Sequence, residues 1–163
     1  MTPRLTLLLA LAIALFGCGR RHTLQDGTYQ FRLDSVIRDD CNLASTGRVL
    51  EIGQIRTSGH VVVMDYQILG TPLQLVGNYL DQDFTNSDRM RLDGSAANQT
   101  AFVNGTECLL DLVVLHLDSL TTGPRSFGGT FSVDYQSPRH NECVCQFWFN
   151  YIAIAADATD SGS

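Results

Sequence analysis

Thr28-Tyr29-Gln30-Phe31-Arg32-Leu33-Asp34 alternates polar and apolar residues without a break. Successive side chains of an extended chain point to opposite faces, so Tyr29, Phe31 and Leu33 share one face while Gln30, Arg32 and Asp34 share the other. This is a half-buried strand. The same period recurs downstream, and helical periodicity is nearly absent. Val49 to Arg56 reads as a second strand, with Gly53 a bulge because the alternation slips there. Thr57-Ser58-Gly59 turns the chain into His60 to Ile68, and Gly70-Thr71-Pro72 turns it again into Leu73 to Leu80. A fifth strand falls within Asp83 to Asp93; Cys108 to Asp118, Phe127 to Gln136 and Cys143 to Ala155 give three more.

About eight strands joined by mostly short turns predict an all-β fold, a single antiparallel meander. A closed barrel is favoured over a two-sheet sandwich, because closure removes edges that invite aggregation. The shape is lipocalin-like by analogy, without a lipocalin sequence motif. Leu109 to Leu115 and Phe147 to Ile154 are apolar on both faces. Burial on both sides is one reading of them, and an outer patch that meets a partner or membrane is the other.

Upstream of the domain, Met1 to Arg4 carries one charged side chain, and Leu5 to Phe16 runs apolar for twelve residues with only Thr6 interrupting. A spanning helix needs about 20 apolar residues, so this is the core of a signal peptide. It ends in Leu15-Phe16-Gly17-Cys18, which resembles the bacterial lipobox: an aliphatic residue, a variable one, a small one, then cysteine. The resemblance covers residues 1–18 and implies cleavage before Cys18 with diacylation there, a palmitate-type anchor. Two or more acyl chains hold a protein stably on a membrane where one does not. Gly19, uncharged, points to the outer membrane of the cell envelope. The organisation is then signal peptide 1–17, lipidated cysteine and tether 18–25, β domain 26–156 and disordered tail 157–163. The tether reaches at most about 25 Å.

Removing the 17-residue leader leaves 146 of 163 residues, enough for one domain with its own core. The formal charge of −6 becomes −7, since Arg4 is the only charged side chain lost. Scattered arginines on an acidic chain do not make a nucleic-acid surface. The chain has no lysine, which removes Schiff-base chemistry, a phosphate-loop lysine and a Ser–Lys dyad.

Cys41, Cys108, Cys143 and Cys145 remain in the domain, and an even number in an oxidising compartment means bridges first. Cys143 and Cys145 point the same way along a strand, too far apart to pair with each other. Two connectivities stay open: Cys41 joins one of that pair and Cys108 the other. In a meander every one of these cysteines falls at the same end, opposite the tether. A metal site at His140 to Cys145 lacks the spacing of zinc knuckles.

Other constellations are weak. Asp81-Gln82-Asp83 with Asn86 and Asp88 lacks the glycine and glutamate of a calcium loop. His116 alternates with Leu115 and Leu117, as a satisfied strand residue would. Asp111 interrupts an apolar strand and calls for a partner or exposure. No nucleophile elbow is present, and no cofactor is implied. The cysteine end also carries the longer connections, read as Asp39 to Gly47, Gly94 to Glu107 and Ser137 to Glu142. Long loops pinned on a rigid scaffold are where binding residues concentrate. Asn42, Asn98, Gln99, Phe102, Arg139, His140 and Asn141 are the candidates. The first functional expectation is a non-catalytic, membrane-anchored module binding a small apolar ligand or lipid in the barrel. The alternative is an envelope structural or protein-interaction lipoprotein, such as an enzyme inhibitor. A hollow interior favours the first and an interior packed with rings the second.

Overall fold

The computed structural model describes residues 23–44, 52–68, 71–80, 88–103, 105–137 and 143–156. The signal region, Cys18, most of the tether, the tail, the calcium-loop-like stretch 81–87 and the candidates Arg139, His140 and Asn141 lie outside them.

Eight strands follow one another: β1 (Gly27–Asp39), β2 (Ile52–Ser58), β3 (Val61–Ile68), β4 (Thr71–Tyr79), β5 (Arg89–Val103), β6 (Thr106–Gly123), β7 (Ser126–Gln136) and β8 (Cys145–Ala155). Each pairs antiparallel with the next, and β8 closes onto β1, so the sheet is a closed meander barrel and not a sandwich. We call the end holding the start of β1 the floor and the opposite end the rim. The chain reaches β1 by crossing the floor. Leu24 is buried there and its N–H donates to the Tyr79 hydroxyl at 3.0 Å, while Gln25 N–H donates to Pro124 O at 2.8 Å. Asp26 accepts from both the backbone N–H and the hydroxyl of Thr57 at 2.7 Å, which holds its carboxyl below the usual aspartate range.

Two expectations need correction. Gly53 is not a bulge: it pairs in regular register with Tyr29 on one side and Tyr66 on the other. The alternation slips because glycine occupies an inward position, where a Cβ would lie 2.8 Å from the Phe31 ring. The register shifts are in β1 instead, between Leu33 and Ser35 and between Val36 and Arg38, and near the end of β6, between Thr121 and Gly123. Gly94 to Glu107 is not a loop either. β5 runs on to Val103 and returns as β6 through a tight turn at Gly105, whose φ is +80°. The small and polar run Ala96 to Thr100 carries no hydrophobic alternation, which hides a strand paired to β6 throughout.

The core is one cluster in two parts. The floor half holds Tyr29, Phe31, Tyr66, Phe127, Phe131, Phe149 and Tyr151, with Met64, Leu75, Leu92 and Leu117 between them. The rim half holds Leu110, Val113 and Tyr135, covered by Cys41 and Leu43 from the segment after β1 and by Cys143 before β8. A cover is needed because β5 and β6, at 15 and 18 residues, outreach β3 and β4, at 8 and 9.

Candidate functional site

The rim is built around two bridges, Cys41–Cys145 and Cys108–Cys143. This resolves the connectivity that the spacing left open. β1 delivers Cys41 beside β8, where Asp40 N–H donates to Gln146 O at 3.0 Å. The Asp39 carboxylate then accepts from the N–H groups of Leu43 and Ala44, both at 2.9 Å, and so fixes the covering segment. Arg38 joins the seam by pairing with Asp40 at 2.6 Å and donating to Gln146 at 2.5 Å. On the other side, the Ser137 hydroxyl donates to Leu109 O at 3.1 Å. Bridged cysteines offer no thiolates, so Cys143 and Cys145 are not metal ligands here, while His140 to Glu142 lie outside the described residues.

Asn98 and Asp111 mark a change of face. On β6 the buried positions are Thr121, Ser119, Leu117, Leu115 and Val113, then Leu110 and Cys108. On β5 they are Met90 and Leu92, then Ala101 and Val103. Asn98, at a left-handed φ of 54°, sits between the pairs Ala97↔Leu112 and Gln99↔Leu110, so both strands switch together without losing register. Asn tolerates that conformation better than most residues. The run Leu109 to Leu115 is therefore apolar on both faces because its inward face changes midway. Asp111 stands half-exposed at the switch.

Beyond the switch the β5–β6 hairpin presents Phe102, 64% exposed, and its diagonal neighbour Leu109, 58% exposed. Among the described residues, the other sequence candidates do not converge on them. Gln99 donates to Ala97 O at 2.7 Å within its own strand. Asn42, also left-handed at φ 54°, follows Cys41 on the opposite side of the rim. Leu109 was not among the candidates, because alternation read from Leu115 backward assigns it to the interior.

The interior is occupied by rings. Phe31 contacts Tyr66, Phe127 and Tyr151 at centroid distances of 6.0, 5.7 and 5.5 Å. Phe131 meets Tyr66 at 5.8 Å and stacks on Phe149 at 5.2 Å, and Phe149 meets Phe147 at 4.7 Å. These are favourable packing distances for aromatic pairs. The Tyr151 hydroxyl is hydrogen-bonded to that of Ser119. The Tyr135 hydroxyl, beneath the bridges, has no partner among the described residues. Burial pushes both phenols well above their ordinary value. A shallow depression of about 270 Å³ lies at the floor, lined by Asp26, Tyr29, Arg125 and Ala155 among others.

The outer wall is divided. From β2 to β6 it carries paired polar groups: Arg56 with Asp65 at 2.5 Å, Gln74 donating to Asp65 at 2.8 Å, Arg91 with Asp118 at 2.9 Å, and His116 with Asp93 at 2.5 Å. These groups satisfy one another in solvent and form no convergent constellation. β8 differs. Its inward residues alternate with Trp148, 37% exposed, and Ile152, 47% exposed. This strand is therefore not buried on its second face.

Together these features define a class: a closed eight-stranded antiparallel meander, lipocalin-like in shape, filled with aromatic rings and stapled at the rim by two disulfides. No family model, curated protein or solved structure matches the chain.

Proposed function

We propose that the chain is exported, lipidated at Cys18 and held at the cell envelope as a non-catalytic recognition module whose rim meets another envelope protein. The observation that carries this reading is the ring-filled interior. A small apolar ligand inside the barrel, the first expectation from sequence, requires Phe31, Phe131 and Phe149 to part. A surface partner requires nothing to move. Phe102 on the projecting hairpin is the most exposed large hydrophobic among the described residues. Aromatic anchors of this kind are enriched where proteins bind one another. The bridges fix the rim that presents it, which lowers the ordering cost of association.

Two measurements test the proposal. Native mass spectrometry of the mature protein is expected to show the bare polypeptide mass plus its acyl groups. A stoichiometric lipid or metabolite inside the barrel would overturn the surface reading in favour of the apolar-ligand one. In living cells, a photo-crosslinking amino acid at Phe102 is expected to give one discrete protein adduct, lost when Leu109→Asp is added. The same amino acid at Ser95, on the outer wall below the switch, should give none.

A further inference from the structure

Two stretches of strand edge lack a neighbour among the described residues. β1 pairs with β2 only from Gly27 to Gln30, so Phe31 to Asp39 is bonded on its β8 side alone. β4 pairs with β5 only as far as Val76↔Asp93, whereas β6 follows β5 to Val103↔Thr106. The rimward part of β5 is therefore bonded on its β6 side alone. An open edge presents a row of unpaired N–H and C=O groups, and charges and bulges are the usual protection against a foreign strand. The edge of β1 has both, in Arg32, Asp34, Arg38 and Asp39 and in its register shifts. The edge of β5 has neither. Gly94 to Val103 contains no charge and no proline, and it keeps its register with β6 throughout. Its one interruption is Asn98, where the backbone turns left-handed and the Gln99 amide covers Ala97 O. Gln99 to Val103 is then the stretch that can pair without a break.

We infer that this edge takes up an extended segment of the partner protein as an added antiparallel strand. The inference rests on recognition at the rim through Phe102 and specifies its form. An open ladder edge is matched by another extended backbone, and antiparallel pairing is the stronger kind. Alternate residues turn their N–H and C=O to the open side, so this stretch offers about two or three such positions. Thr100 and Phe102 point outward and are exposed, while Ala101 and Val103 are buried. A strand laid alongside sets its own outward side chains about 5 Å from Thr100 and Phe102. The guest segment is uncharged, because the β5 edge offers no countercharge, and free of proline at its centre. Opposite Phe102 it carries a β-branched or aromatic residue, since such cross-strand pairs stabilise a sheet. A second copy of this chain does not suit the edge. Two copies anchored in one membrane both run β5 from floor to rim, so antiparallel pairing turns one barrel over. Its floor, where Leu24 is buried and bonded to Tyr79, then stands beyond its neighbour's rim. Leu24 follows Cys18 by six positions, a reach of about 21 Å. β6 alone, with 18 residues at about 3.3 Å each, is longer than that reach more than twofold.

The test reads the register of the guest. A short diazirine photo-crosslinking amino acid is placed at Phe102 in one culture and at Thr100 in another, in the full chain exported by living cells. Adducts are digested, and mass spectrometry identifies the partner residue that each position labels. Both side chains are exposed, so neither replacement disturbs the core, and intact bridges verify folding. Both positions are expected to label one continuous segment of the same protein. Moving from 102 to 100 should shift the labelled residue by about two positions toward that protein's C-terminus, as antiparallel pairing requires. Labels that fall in separate segments, a shift toward the N-terminus, or an adduct at 102 with none at 100 overturn the added strand and leave recognition at the rim standing. Labels in a second copy of this chain overturn the occupant argued here. No adduct at either position overturns recognition at the rim and the inference with it.

Discussion

Tyr151 and Tyr135 are equally buried, each 2% exposed, but they belong to different halves of the barrel. Tyr151, towards the floor, packs against Phe31, Phe127 and Phe131, and its hydroxyl meets Ser119. Tyr135, towards the rim, lies beneath the bridged cysteines, and its hydroxyl is unpartnered among the described residues. An unsatisfied buried hydroxyl costs about 1–3 kcal/mol. The floor half thus holds itself together by ring packing and by the Tyr151–Ser119 hydrogen bond. The rim half tolerates an orphan group, a change of face and short covering segments, and each disulfide there contributes about 2–5 kcal/mol. Rigidity is supplied by packing at one end and by covalent bonds at the other.

Removing a bridge attacks the rim most directly. Cys41–Cys145 encloses 104 residues, and loop entropy assigns about 4–5 kcal/mol to a closure of that length. Cys41→Ser with Cys145→Ser should lower the urea midpoint accordingly. Amide exchange should accelerate first in residues 39–44 and 97–113, ahead of 115–121 and 149–153. Uniform acceleration would erase the distinction between the halves. Phe131→Ala attacks the floor half and should cost about 4 kcal/mol, within the range for losing a buried ring. Its exchange signature should be global, because that ring joins Tyr66 on β3 to Phe149 and Tyr151 on β8.

The tyrosines give a smaller pair of effects with opposite signs. Tyr151→Phe should destabilise by about 1 kcal/mol through a lost hydrogen bond, whereas Tyr135→Phe should stabilise by about 1 kcal/mol by deleting an orphan. If both destabilise equally, the rim hydroxyl has a partner and the comparison fails. Alkali sharpens the same point. Both phenols titrate above the ordinary 10.0 in the folded chain, so above that pH the unfolded chain sheds protons the folded chain keeps. Stability is therefore fully present below pH 10 and declines as pH rises beyond it, and Tyr151→Phe should flatten the decline measured by urea titration. Smallest of all, Phe102→Ser should leave stability within about 0.5 kcal/mol, since the ring lies in solvent.

How much of this was legible follows from the physics of each strand. β1 and β3 alternate because one face meets the core and the other solvent, so their patterns report the fold directly, whereas β8, with Trp148 and Ile152 outward, reads as apolar on both faces. β5 did not announce its upper half. Ala96 to Thr100 holds no fully buried side chain, and small polar residues suffice there. β6 misled differently: a strand that changes face midway looks apolar on both. The closed meander and the clustering of cysteines at one end could be argued from order and direction alone. Which cysteine of Cys143 and Cys145 takes which partner could not, because it depends on where Cys41 sits across β1 and β8. Among candidate residues, loop position selected Asn42 and Gln99 together with Phe102, but strand geometry separates them.

The seam between β1 and β8 joins the first strand to the last, and it has a kinetic consequence. Every other pairing zips between neighbours in sequence, but this one must wait until the whole domain has been synthesised. Long-range closures of this kind slow folding. Until the seam shuts, two unsatisfied strands coexist on one nascent molecule, each able to recruit a copy of the other from a second chain. The Cys41–Cys145 bond, lying across that seam, forms in its native place only after closure, so its oxidation marks completed assembly.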